Sequence, residues 1–252
     1  GNGALDALTS GAYNVAVGDN SQTNTTTGQW NTSIGTNSLT TNTTGSGNTA
    51  LGNWALKAST TSSYNTAVGQ YSLQANTTGA NNTAVGYQSL YANTTGIANV
   101  GIGNDSIRTS TTGNYNVALG VSTLYVSTTG TANTAIGHAA LYDLTTGNHN
   151  TALGFLSAEN ITTGQYNVAL GNYTLQAQTS SSYNTAVGYY SGAAMTSGSA
   201  NVSMGTYSLD ANTTGANNVA LGYQSMTTNT SGGSNTAVGT NSLAGNTTGA
   251  NN

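Results

Sequence analysis

The 252-residue chain has a formal net charge of −4 and only 3% charged residues, against about 25% in an ordinary globular domain. Lys57 and Arg108 are its only cations, which excludes nucleic-acid binding through phosphate neutralisation. No apolar run approaches the roughly 18 residues of a membrane-spanning helix, so membrane insertion is not expected. The absence of cysteine excludes disulfides and thiolate metal sites.

A 17-residue repeat organises the chain. A glycine that follows a small and an aliphatic residue recurs every 17 residues from Gly18 to Gly239, without insertions. Counted from its asparagine as position 1, the repeat reads N-[TV]-A-[VIL]-G-x-x-S-L-x-x-x-T-T-G-x-x, and fourteen complete repeats occupy 14–251. Such regularity argues against disorder and predicts units that stack identically.

Within each repeat, two short β-compatible runs, at positions 1–4 and 8–11, are separated by glycine turn signals at positions 5 and 15. Seventeen residues are too few for a pair of helices but suit one coil of a β-solenoid. We therefore predict an all-β fold, a parallel β-solenoid or β-roll of 17-residue rungs, uninterrupted over 1–252. The repeat is intact at both ends, so we expect a window of a longer chain; the alternative is a subunit that polymerises end to end.

Stacking of equivalent positions predicts ladders along the solenoid. The asparagines of position 1 can form an amide ladder, the glycines of position 5 a file of turns, and the threonines of position 13 a hydroxyl ladder. The first five members of each set are Asn14, Asn31, Asn48, Asn65 and Asn82; Gly18, Gly35, Gly52, Gly69 and Gly86; and Thr26, Thr43, Thr60, Thr77 and Thr94.

The core is predicted from the alternation of side chains along a strand. Position 4 is always aliphatic and position 9 is mostly Leu, so both are expected to point inward. Position 3 is Ala or smaller in most repeats, which indicates a tight turn or another backbone packed against it. The predicted core residues are Val17, Ile34, Leu51, Val68 and Val85 at position 4, and Leu39, Leu56, Leu73 and Leu90 at position 9.

Two repeats lack a large residue at position 9. Ala158 is followed three residues later by Ile161, and Gly192 is followed by Met195. We expect the later residue to refill the lost core volume, because interiors are close-packed.

A core of three apolar side chains per rung is thin for 17 ordered residues. We therefore predict self-association, as a homotrimer or a polymer, in which chains share an apolar face through position 3.

The motif also carries a family resemblance. The segment 65–69, Asn-Thr-Ala-Val-Gly, resembles the repeats of trimeric autotransporter adhesin heads, and the longer unit 82–96 resembles the shafts of phage-type tail-fibre proteins. The resemblance covers the whole chain. It implies left-handed parallel β-rolls associated as a trimer on a cell or virion surface. The adhesin heads use a shorter repeat, so their detailed geometry does not carry over.

No catalytic, cofactor-binding or metal site is predicted. Catalysis needs clustered titratable groups, and the acidic residues lie at different positions on mostly distant rungs. The densest group is His138, Asp143, His149 and Glu159, which we interpret as solvated surface charge, with a weak cation contact at Asp143 and Glu159 as the most it supports. The chain is therefore not expected to be an enzyme.

The tyrosines and the glycosylation sequons each have a structural or chance interpretation as well as a functional one. Tyrosines occupy exposed positions and could hold a glycan or protein receptor, but packing between rungs is favoured; examples are Tyr71, Tyr87, Tyr91, Tyr125, Tyr142, Tyr189, Tyr190, Tyr207 and Tyr223. N-x-T or N-x-S glycosylation sequons arise by chance in so Asn- and Thr-rich a chain, and their use depends on the host. They recur at the second turn of the repeat, for example at Asn42, Asn76, Asn93, Asn212, Asn229 and Asn246.

These features predict a structural component of an extracellular fibre, such as a tail-fibre or adhesin-like shaft. A self-assembling filament and an ice-binding β-solenoid are the alternatives. Against ice binding, the adjacent threonines of positions 13 and 14 should point in opposite directions, and exposed tyrosines should interrupt a flat face.

Overall fold

The computed structural model describes residues 1–252 as two compact units, Gly1–Thr129 and Gly130–Asn252. Each unit is a parallel β-solenoid of 17-residue rungs without helices, which confirms the predicted fold class and repeat. One solenoid uninterrupted over 1–252, left-handedness and trimerisation stay predictions.

Each rung contributes one three-residue strand, formed by positions 2–4. The first unit contains β1 (Val15–Val17), β2 (Thr32–Ile34), β3 (Thr49–Leu51), β4 (Thr66–Val68), β5 (Thr83–Val85), β6 (Val100–Ile102) and β7 (Val117–Leu119). The second unit contains β8 (Thr134–Ile136), β9 (Thr151–Leu153), β10 (Val168–Leu170), β11 (Thr185–Val187), β12 (Val202–Met204), β13 (Val219–Leu221) and β14 (Thr236–Val238).

Successive strands within each unit pair in parallel, each residue beside the residue 17 later in the chain. In the first unit Ala67 of β4 pairs with Ala84 of β5, and in the second unit Ala169 of β10 pairs with Ala186 of β11. Equivalent positions therefore stack directly, as the invariant period predicts.

The second predicted strand, at positions 8–11, is wrong, because this segment folds as consecutive turns. Positions 7 and 9 both adopt left-handed backbone conformations, as at Gln88 (φ 52°) and Leu90 (φ 52°). Side chains that alternate on a strand would put positions 8 and 9 on opposite faces. The left-handed residues turn the chain so that Ser89 and Leu90 are both fully buried. Each such conformation costs a non-glycine residue about 1–3 kcal/mol, which burial of the leucine helps to offset.

The predicted inward direction of position 4 is also wrong. Val17 is 53% exposed and Ile34 44% exposed, and Leu51, Val68 and Val85 are only half-buried. Position 3 points inward instead, because it is the central residue of a three-residue strand whose neighbours face out. Four alanines of position 3 in the first unit are fully buried: Ala50, Ala67, Ala84 and Ala118.

Position 3 is small because the coil interior is narrow. A methyl group built on Gly101, which occupies position 3 of β6, would lie 2.7 Å from Ser89 Oγ and 3.3 Å from Leu90 Cγ. The residue thus packs inside the solenoid against the preceding repeat, and it is neither in a tight turn nor exposed to a second chain as the sequence suggested.

Position 9 forms the core as predicted. Leu39, Leu56, Leu73 and Leu90 are all fully buried. The two exceptions are compensated as expected, since Ile161 and Met195 are fully buried, and Met195 Cε lies 3.4 Å from where a methyl group on Gly192 would be.

The inward direction of position 3 can be tested with a neighbouring pair of substitutions. Ala84→Leu should lower the free energy of unfolding by about 1–3 kcal/mol, because it overpacks the coil. Val85→Leu should change it by less than about 0.5 kcal/mol, because the added carbon faces outward. Thermal unfolding of both variants is the measurement; an Ala84→Leu chain as stable as the parent would contradict the assignment.

Candidate functional site

The asparagines of position 1 form the ladder predicted from the sequence. Asn65 Oδ1 accepts hydrogen bonds from the backbone N–H of Asn82 (2.9 Å) and from Asn82 Nδ2 (3.2 Å). Asn82 Nδ2 also donates to the carbonyl oxygen of Gly96 at 2.8 Å. Each asparagine thus joins two rungs and closes its own coil between positions 1 and 15. The same pattern recurs in the second unit, for example where Asn218 contacts Asn201 and Gly232.

The turn before each asparagine directs it inward. The residue at position 17 is left-handed, as at Asn81 (φ 61°), and the following Asn82 is fully buried. A buried amide surrounded by satisfied partners holds a single geometry, because any alternative leaves polar groups unpaired in a medium of low dielectric constant.

A second, shorter asparagine ladder lies at position 12 and was missed in the sequence. Asn93 Nδ2 donates to Asn76 Oδ1 at 2.9 Å, and Asn76 Nδ2 donates to the Gly79 carbonyl at 2.9 Å. In the second unit Asn229 donates in the same way to Asn212 at 3.0 Å. The available signal was an asparagine three residues before glycine in repeat after repeat.

The six sequons named above lie at position 12, the position of this second ladder. Five of the six sequon asparagines named above are fully buried and the sixth, Asn246, is part-buried. A glycosylating enzyme cannot reach the five buried side chains in the folded chain, so they act as structural ladder residues.

The threonine ladder differs in its acceptors from the prediction. Thr43 Oγ1 donates to the backbone carbonyl of Thr60 at 3.0 Å, and Thr77 Oγ1 to that of Thr94 at 3.0 Å. The hydroxyls therefore bond the next rung's backbone, not one another. Position 14, as at Thr44, is exposed while position 13 is half-buried. Both residues lie in a turn, where strand alternation does not apply, and their opposite directions stay a prediction.

Glycine at position 5 is required by both conformation and space. Gly69 has a φ of 130°, and a methyl group added to it would lie 2.5 Å from the carbonyl oxygen of Gly86 on the next rung. A side chain here would separate the stacked turns.

Aromatic side chains form files on the surface, which agrees with packing between rungs. In the second unit His149, Tyr166 and Tyr183 stack with ring centroids 4.9 and 5.3 Å apart and planes within 7° of parallel. In the first unit the Lys57 ammonium lies 3.6 Å from the centroid of Trp54.

The titratable residues are dispersed among other contacts. His138 stacks on Phe155, Glu159 accepts a hydrogen bond from Gln176 at 3.0 Å, and no group of three or more metal-binding side chains forms. Burial, and secondarily the charge of Glu159, raises the pKa of Asp143. The one ion pair joins Arg108 Nε to Asp105 at 3.2 Å.

Comparison of the chain with protein-family models, curated proteins and solved structures finds no match. The resemblance to tail-fibre and adhesin repeats therefore stays a prediction. The structure contains no helix that is long and apolar enough to cross a membrane.

The ladder can be tested at Asn82. Asn82→Ala would leave the Asn99 backbone N–H without its acceptor and would remove one of the two side-chain donors to the Gly96 carbonyl, the other being Asn93 Nδ2, so the free energy of unfolding should fall by about 1–3 kcal/mol. The control is Asn81→Ala, since Asn81 is exposed and alanine occupies this position elsewhere, as at Ala98. Chemical denaturation of both variants is the measurement, and equal stabilities would contradict the role of the ladder.

Proposed function

We propose that the chain is a structural segment of an extracellular fibre or filament, the shaft of an assembly on a cell or virion surface. The observation that carries this proposal is the set of ladders that repeats on every rung. Backbone, asparagine and threonine hydrogen bonds tie each rung to the next, as between Asn65 and Asn82 and between Thr77 and Thr94. Bending or local opening would break several of these bonds together, so the segment suits a rigid spacer that resists proteolysis.

The outward face of the strands supports assembly of several chains. This strand face consists of the side chains of positions 2 and 4, which are only Thr, Val, Ile, Leu or Met. In the first unit it leaves Val17, Ile34 and Leu119 between 44% and 53% exposed. A file of aliphatic side chains on consecutive strands is a surface that water disfavours, and such patches mark interaction sites.

A second copy of the same chain is the occupant that fits this face best. The face carries no charge, so two copies meet without like-charge repulsion. Two flat sheets pack about 10 Å apart with interdigitating side chains, and strands of one register offer matching ridges. Position 3 is buried within the coil, so the association predicted from the sequence is assigned here to positions 2 and 4, in a homotrimer or a polymer.

Association can be tested with Ile34→Asp on β2. A charge in the interface should dissociate the assembly, whereas Thr44→Asp, in an exposed turn of the same repeat, should leave it intact. Analytical ultracentrifugation gives the molar mass of each variant, and cryo-electron microscopy of native material shows which faces meet. A monomeric parent chain, or assemblies equally sensitive to both variants, would refute the proposal.

Ice binding is the second candidate, and one observation favours it. Thr32, Thr49, Thr66 and Thr83 lie at position 2 of consecutive strands beside the aliphatic residues of position 4. The strand face therefore presents hydroxyl and methyl groups on consecutive parallel strands, and the aromatic residues occupy other positions.

Inhibition of ice recrystallisation at micromolar protein distinguishes the candidates. If the strand face binds ice, Thr66→Lys should abolish inhibition and Thr78→Lys, in the exposed turn of the same repeat, should not. If the parent chain does not inhibit recrystallisation, ice binding is rejected and the fibre proposal is the one that remains.

A further inference from the structure

Four tyrosines of the second unit form a contiguous cluster on its surface: Tyr173, Tyr189, Tyr190 and Tyr207. Tyr190 is its centre. Its ring stacks on Tyr173 with centroids 4.7 Å apart and on Tyr207 at 5.7 Å, and it meets Tyr189 edge-on at 4.6 Å. Tyr173 and Tyr207 belong to the rungs on either side of the one that carries Tyr189 and Tyr190, so the cluster spans three rungs.

The cluster is accessible to an oxidant in solution. Tyr189 is 43% exposed and the other three rings are half-buried. Competing electron donors are scarce in this unit: the chain has no cysteine and both tryptophans lie in the first unit. Of the three methionines, Met195 and Met226 are fully buried, so Met204, at 42% exposed, is the methionine that an oxidant reaches.

We propose that this cluster is a site of oxidative cross-linking, at which two tyrosines on adjacent rungs couple to form dityrosine. The oxidant is hydrogen peroxide used by a haem peroxidase. Each phenol gives up one electron and its hydroxyl proton, and the two phenoxyl radicals form one carbon–carbon bond between ring carbons ortho to oxygen. The two ortho hydrogens then move to the oxygens as aromaticity is restored. One peroxide accepts the two electrons and two protons and becomes two molecules of water.

The folded geometry favours coupling within a chain over coupling between chains. Two radicals held with ring centroids about 5 Å apart react as an intramolecular pair, whose effective concentration far exceeds that of separate molecules in dilute solution.

The product would be a covalent bond between residues one rung apart. It would stabilise a fibre in the way that a disulfide stabilises other extracellular proteins, in a chain that has no cysteine. This role does not depend on how the chains associate.

The test treats the full-length chain at low concentration with peroxidase and hydrogen peroxide. We expect dityrosine fluorescence, an intact mass lower by two hydrogens per cross-link without dimer formation, and linked peptides that map to Tyr190 and its neighbours. Tyr190→Phe keeps the ring packing and should remove more than half of the dityrosine that maps to the cluster.

The matched control is Tyr64→Phe in the first unit. Tyr64 is 66% exposed, and its ring lies against Gly47, not against another ring. Its substitution should leave the cluster's yield unchanged, and unfolding the parent chain in denaturant should abolish the intrachain product. Equal yields from the two variants, products linked only between chains, or no dityrosine at all would overturn the proposal.

Discussion

A buried amide on every rung satisfies backbone groups that no neighbouring strand can reach. The N–H of Asn82 has no carbonyl partner and bonds to the Asn65 side chain, while its own Nδ2 takes up the carbonyl of Gly96. Strands of three residues supply few ladder bonds, so the coil depends on these side chains to close. Each amide bonds both to its own rung and to a neighbouring rung, so the same side chain closes the coil and holds the stack together. An insertion in one rung would break both sets of bonds, which accounts for the unvarying 17-residue period.

The narrow interior dictates most of the other choices. Only alanine, serine or glycine fits at position 3, and the one large side chain enters from position 9 through a left-handed backbone. Where position 9 is small, position 12 supplies the missing volume, as Met195 does opposite Gly192. Elsewhere position 12 carries an amide or a hydroxyl side chain, except at Leu144, so this position serves packing in some rungs and hydrogen bonding in others.

The narrow interior leaves the aliphatic residues of position 4 outside, on the strand face. Their exposure supports the proposed assembly in a fibre, and the threonines of position 2 support the ice-binding alternative. The clustered tyrosines occupy positions 6 and 7 of the repeat, so the proposed cross-linking and the proposed assembly use different residues. Uncharged polar residues cover most of the remaining surface and are hydrated. With so few charges, the surface produces no strong electrostatic field that would select a partner.

The repeat length, the all-β parallel stacking, the asparagine ladder and the leucine core follow from the sequence alone, because an unvarying period stacks like on like whatever the coil's path. Only the tertiary structure decided the directions of Ala84, Val85 and Ser89, the turns at positions 8–11 and the burial of Asn76 and Asn93. These depend on left-handed φ values at ordinary residues such as Gln88 and Leu90, which residue type does not reveal. Each left-handed residue changes the direction in which the following side chains point. Strand alternation therefore predicted position 4 to be buried, whereas the structure buries position 3 and exposes position 4.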